Sequence, residues 1–258
     1  MTDGLDVRTE AGVLRLRIER PEQLNAMTAP ITDRLAEELE GAAARDDVRV
    51  VLLTGTGAAF SAGADVSGTD AHAGFDVTSL DRANRLVRAV VSLDKPVVAA
   101  AVNGVAAGVG CSLAVACDLV VAAESARFVL AFSRIGLMPD GGATATVAAA
   151  VGRVRAMRLA LLGDALSARE AYDAGLASLV VPDVDFPEAV EETVTRLAAG
   201  PPLAFAATKK AVNAATLGHF EDALQRERTG QTILLRTADV AEGMRAFGEK
   251  RAPTYHGR

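Results

Sequence analysis

A chain of 258 residues, half of them hydrophobic and 23% charged, is long enough for one large folded domain carrying a helical appendage. With no tryptophan and 4% aromatics, its core has to be built from alanine, valine and leucine. A net charge of −6 speaks against nucleic acid as an electrostatic partner, although a small polyanion needs only a few local cations or a helix N-terminus.

The first nine residues carry two aspartates against one arginine, with no basic cluster and no apolar run behind them, so no secretory signal is expected there. Residues 13–19 and 49–54 read as strands, and 31–44 has helical spacing, with Thr28 as N-cap and Pro30 in the first turn. Residues 67–80 are polar and glycine-containing, the composition of a loop, and 80–93 is again helical in spacing. Residues 96–102 and 119–122 are continuous apolar runs. Such strands, separated by helices, predict an α/β fold with parallel pairing and both sheet faces covered.

The segment 97–122 is interrupted by Asn103, glycines, Ser112 and Asp118, so it is not the roughly 20-residue apolar span that a membrane helix needs. Cys111 and Cys117 lie within it with no histidine nearby. They read as small buried hydrophobes rather than metal ligands, which fits a reducing cytoplasm.

From Gly152 onward the pattern is mostly helical, over 154–162, 168–174, 187–198, 203–215, 219–236 and 240–249, with a short strand at 179–181. Gly200-Pro201-Pro202 divides an α/β part, 1–199, from a helical part, 200–258. The latter is too small for a core of its own and must pack on the main domain or on a neighbouring subunit.

Three segments could carry chemistry. Residues 60–65 (Phe-Ser-Ala-Gly-Ala-Asp) and 103–111 (Asn-Gly-Val-Ala-Ala-Gly-Val-Gly-Cys) each place small residues after a strand, and the second opens a helix. Both are either tight turns or places where free N–H groups meet an anion. The pattern Gly108-Val109-Gly110 lacks the third glycine of a dinucleotide fingerprint. The third segment, 132–142, holds a lone carboxylate, Asp140, between Leu-Met-Pro and Gly-Gly. It is either a base with a raised pKa or the N-cap of the next helix.

Taken together these segments resemble the crotonase (enoyl-CoA hydratase/isomerase) superfamily. Residues 20–27 (Arg-Pro-Glu-Gln-Leu-Asn-Ala-Met) are similar to its N-terminal signature. Residues 60–65 resemble its first oxyanion segment, and 95–111 with Ala116-Cys117-Asp118 its second. Residues 132–142 followed by Gly152-Arg153 resemble the active-site region. Residues 162–164 with 168–175 resemble the segment after it, and 247–251 the C-terminal tail.

The resemblance implies a spiral of ββα units followed by C-terminal helices that mediate a homotrimer or a dimer of trimers. It also implies an acyl-CoA or enoyl-CoA substrate, no membrane or nucleic-acid partner, and no cofactor beyond the coenzyme A of that substrate. The N–H groups of Ala64 and Val109 would hold the thioester oxygen, although 109 is glycine in many relatives. Ala26, Ala62, Ala64, Asp65 and Val66, with Phe247 and Lys250, would meet the CoA, Lys250 being either near its phosphates or simply solvated.

Hydratases of the family use two glutamates, and the matching positions here are Ser112 and Phe132. Asp140 falls where the isomerase branch carries its single acid, in a context similar to the phenylacetate-pathway and Δ3,Δ2-enoyl-CoA isomerases. The expected activity is therefore isomerisation with one carboxylate. The alternatives are a hydratase or another crotonase reaction drawing on Asp70, His72 or Asp76, in what is otherwise a polar linker, and a non-catalytic acyl-CoA binding protein.

Overall fold

The computed structural model describes residues 4–66 and 76–258, and of 97–100 the backbone alone. Strand β1 (Leu5–Glu10) turns at Ala11-Gly12 into β2 (Val13–Ile18), and the two pair antiparallel. From β2 a parallel sheet extends through β3 (Val50–Gly55), β5 (Val97–Val102), β7 (Leu119–Ala123) and β10 (Leu179–Val181), in the order β1-β2-β3-β5-β7-β10.

Three strands of this sheet each feed a three-residue strand that crosses to a second sheet. These are β4 (Ala59–Ser61), β6 (Val105–Ala107) and β8 (Arg127–Val129), and β9 (Ala165–Ser167) completes the order β4-β6-β8-β9. A helix follows each crossing: α2 (Val77–Ser92), α3 (Val109–Ala116) and, after a 3-10 turn at Ala131–Ile135, α4 (Ala143–Leu162). The result is a repeated ββα spiral, the expected α/β crotonase architecture.

Side-chain alternation on β3 explains the layering. Val51 and Leu53 face the main core, shared with Phe60 and Phe128 of the small sheet and with Leu35 and Leu39 of α1 (Ala29–Ala42). Val50 and Leu52 face the opposite side, where Val190 and Val194 of α6 (Phe186–Ala199) cover them. Both faces are thus apolar, as the continuous runs predicted. Sequence reading missed β1 because its outward positions are polar. It missed the whole small sheet because three residues are too few to show a period.

Helix α4 contains a break at Gly152 (φ 75°, ψ 161°), so the helix expected from 154 is its second half. Helix α5 (Ala168–Ala174) carries a capping box between Ser167 and Glu170. Among the C-terminal helices, α7 (Pro202–Thr216) buries no residue. It is tied down by Lys209, whose Nζ pairs with Asp118 at 2.9 Å and donates to Val90 O at 2.8 Å. By contrast α8 (Phe220–Leu234) and α9 (Ala238–Gly248) pack inward, α8 burying Phe220, Ala223 and Leu224. Each buried phenylalanine or leucine contributes about 1.5–3 kcal/mol. No helix of the described residues is long and apolar enough to cross a membrane.

Candidate active site

The motif at 20–27 is a cradle. Asn25 is fully buried; its amide donates to Thr56 O and Ala59 O at 2.9 and 2.6 Å, and its Oδ1 accepts from Arg20 N at 2.9 Å. The Asn25 carbonyl accepts from Ser61 Oγ at 2.9 Å, and that oxygen accepts from Gly63 N at 3.1 Å. Arg20 donates to Ala26 O and pairs with Asp65 at 2.8 Å. Met27 N donates to Gly63 O at 2.7 Å and Asp65 N to Met27 O at 3.0 Å. This parallel bridge brackets Ala64 and turns its N–H the other way. Among the described residues that N–H has no acceptor.

Val109 is the first residue of α3, so its N–H is one of the orphans of a helix start, and it too lacks an acceptor among the described residues. Gly63, at φ +98°, lets the two segments meet. A methyl group there would fall 2.8 Å from Ala107 O and 3.3 Å from Val109 N. A valine is accommodated at 109 because the helical backbone suits it. Its Cγ2 packs against Gly141, beside the acid expected to act as base.

Asp140 is 5% exposed and does not cap α4. The helix begins at Ala143 with Gly142 as its N-cap residue. One carboxyl oxygen, Oδ2, accepts from Gln231 Nε2 at 2.8 Å. Burial pushes the carboxyl up to about 7; the Gln231 hydrogen bond pulls it down, and the negative charge of Glu227 pushes it up again. Ser112 Oγ donates to the Asp140 main-chain carbonyl at 2.8 Å, joining α3 to the acid's loop.

The loop 137–142 is held from α8. Gln231 Nε2 donates to Met138 O at 2.8 Å and its Oε1 accepts from Met138 N at 3.2 Å. Glu227 accepts from Gly142 N at 2.7 Å, from Thr144 N at 2.8 Å and from Thr144 Oγ at 2.5 Å, taking over the capping of α4. Burial nevertheless raises the Glu227 pKa against the pull of these donors. Sequence reading missed Glu227 and Gln231. A signal existed: the buried stripe 220, 223, 224, 227, 231 carries Glu and Gln where a core stripe would carry leucine.

These elements enclose a cavity of about 740 Å³, lined by Ala62, Ala64, Asp65, Val66, Val109, Asp140 and Phe247 from the predicted set. Ala26 and Lys250 lie outside its lining. Ala26 is buried beneath the cradle, and Lys250 is exposed just past α9. Phe132 supplies apolar wall, whereas Ser112 is fully buried behind the Asp140 loop. Asp76 lines the cavity but is engaged as the N-cap of α2, and its hydrogen bonds from Thr78 hold its carboxyl below the usual range. Asp70 and His72 lie outside the described residues. Both cysteines are buried, and burial pushes the Cys111 thiol up to about 12, far from a nucleophile.

Two free amides converging beside a buried carboxyl that titrates near neutrality can stabilise a thioester enolate while one base moves its proton. Comparison with known proteins identifies the family. The family model described as Enoyl-CoA hydratase/isomerase matches residues 8–258. The chain is 40% identical over 254 residues to the 1,2-epoxyphenylacetyl-CoA isomerase of Escherichia coli, covering 96% of this chain and 97% of that protein. It is 36% identical over 254 residues to the 2,3-dehydroadipyl-CoA hydratase of the same organism, covering 98% and 99%. The crystal structure of an enoyl-CoA hydratase from Mycobacterium avium subsp. paratuberculosis superposes with a TM-score of 0.92 at 47% identity, over 99% of this chain and all of that one. The chain belongs to the crotonase (enoyl-CoA hydratase/isomerase) superfamily, whose members act on acyl-CoA thioesters.

Proposed function

We propose that the protein is an enoyl-CoA isomerase that moves a double bond into conjugation with the thioester, with Asp140 as its only proton carrier. The carrying observation is the state of the three carboxylates on the cavity wall among the described residues. Asp65 is paired with Arg20, and Asp76 caps a helix with its carboxyl held below the usual range, while Asp140 alone of the three is buried and pushed up, to about 7. The amides of Ala64 and Val109 take the enolate oxygen. Ala62, Ala64, Asp65, Val66 and Phe247, which line the cavity, meet the CoA arm together with Ala26 and Lys250 behind and beside them.

The hydratase alternative needs an acid and a base on opposite sides of an attacking water. Phe132 contributes only apolar surface, and the Ser112 hydroxyl is committed to the Asp140 carbonyl, which favours a dry, single-carboxylate reaction. The same reading takes the protein as a homotrimer or a dimer of trimers, in keeping with the exposed apolar side chains of Val154, Leu161 and Leu162 on α4 and Leu203 on α7.

Incubation with a 3-enoyl-CoA, followed by the ultraviolet absorbance of the conjugated 2-enoyl thioester, tests the assignment. Conjugation that appears with wild type and is lost in Asp140→Asn is the expected result. Turnover retained in Asp140→Asn would remove Asp140 from its role. Incorporation of water into a 2-enoyl-CoA would establish the hydratase instead.

A further inference from the structure

We propose that Gln231 is the positioning residue for the base, holding Asp140 through Oδ2 so that Oδ1 alone carries the transferred proton. This rests on the isomerase reading above and says how the single carboxylate performs both transfers.

The orientation of the Gln231 amide follows from its partners. One Nε2 hydrogen goes to Met138 O and the other to Asp140 Oδ2, while Oε1 accepts from Met138 N. Turned over, the amide would set its oxygen against a carbonyl and a carboxylate and its nitrogen against an N–H. Gln231 is fully buried, so water cannot compensate such a mismatch. With both hydrogens of Nε2 spent, Oδ2 meets a donor and has no acceptor for a proton of its own. Oδ1 receives no hydrogen bond among the described residues, yet it is not one of the side-chain oxygens sealed from solvent, and Asp140 borders the cavity. The proton therefore resides on Oδ1.

In the reaction, Oδ1 takes a proton from C2 of a 3-enoyl thioester. The electrons of the broken C–H bond pass into the thioester, whose oxygen is met by the amides of Ala64 and Val109. The dienolate then collapses, C4 takes the same proton from Oδ1, and the double bond ends between C2 and C3. No oxidant or water is consumed.

Among the described residues, α8 and α3 meet the acid and its loop. From α8 come Gln231 and the charged Glu227; from α3 come the Ser112 hydroxyl, on the main-chain carbonyl, and the apolar Val109. The hydrogen bond from Gln231 favours the ionised acid, so its loss raises the Asp140 titration midpoint.

The test compares wild type with Gln231→Met, which removes the donor, and Gln231→Glu, which keeps the shape and adds a second acid. The Asp140 carboxyl is titrated by carbon-13 NMR without substrate, and kcat and KM for a 3-enoyl-CoA are measured across pH. Both variants are expected to move the midpoint upward and to lower kcat about 10- to 100-fold, with KM nearly unchanged. An unmoved midpoint, with kcat falling only in step with Tm, would overturn the proposal and leave Gln231 a packing residue. If one variant does not fold, the other decides. A midpoint that moves in an enzyme unable to isomerise 3-enoyl-CoA would sink the reaction assignment and leave the positioning of Asp140 standing.

Discussion

The hydroxyl of Ser112 donates to the main-chain carbonyl of Asp140 at 2.8 Å, so the helix that offers the Val109 amide and the loop that offers the acid are one rigid unit. Ser112→Ala leaves the Asp140 carbonyl with only the longer bond from Ala143 N, at a cost of about 0.5–1.5 kcal/mol. Thermal unfolding should show that loss. Because amide and acid would no longer be held in register, kcat should fall while KM for a 3-enoyl-CoA stays within about threefold.

Asp140 lowers stability at neutral pH, because its folded pKa of about 7 lies above the usual carboxylate value. The folded state binds the extra proton between those two values, so the contribution of Asp140 to stability is complete below about pH 4 and is lost as pH rises through 7. Asn at this position still accepts from Gln231 and carries no charge. Asp140→Asn should therefore be more stable than wild type at pH 8, by on the order of a few kcal/mol and with a higher Tm, the gap narrowing toward pH 5. A constant gap across that range would refute the linkage. For the same reason wild-type kcat/KM should rise with pH through about 7, as the base ionises.

Glu227 acts on Asp140 in the opposite sense to Gln231, its negative charge raising the acid's pKa. Glu227→Gln should shift the acidic limb of kcat/KM to lower pH. It should also cost about 1–3 kcal/mol, because an amide facing Gly142 N and Thr144 N cannot satisfy both. A pH–rate profile beside a denaturant melt reads both effects.

Gly63→Ala should disable the paired amides. The added methyl would sit 2.8 Å from Ala107 O at a φ that side chains rarely adopt, forcing the 61–65 segment away from α3. A loss in kcat of about 10²–10³ is expected, the scale of one oxyanion donor. Retention of wild-type kcat would argue against the Ala64–Val109 pair.

Part of the candidate site was legible along the chain as a set of expectations. The glycine-rich segments after β3 and β5 announce close backbone approach because only small residues permit it. A lone acid among Leu, Met, Pro and Gly leaves two readings, a perturbed carboxyl or a helix cap, and the structure decides for the first. The continuous valine-rich runs likewise determine a parallel sheet covered on both faces, since alternation disappears when neither face meets water. Tertiary structure alone decided the rest. The strands of β4, β6 and β8 are three residues long and exist only because the large sheet delivers them side by side, a pairing no local period can encode. Tertiary packing also decided the support of the acid. Gln231 lies 91 residues beyond Asp140, and Glu227 lies 85 beyond Gly142, on a helix whose polarity reads as solvated until α8 docks. Docking strips water from two carboxylates and an amide at once, and that shared desolvation, absent from any segment by itself, sets the pKa of Asp140.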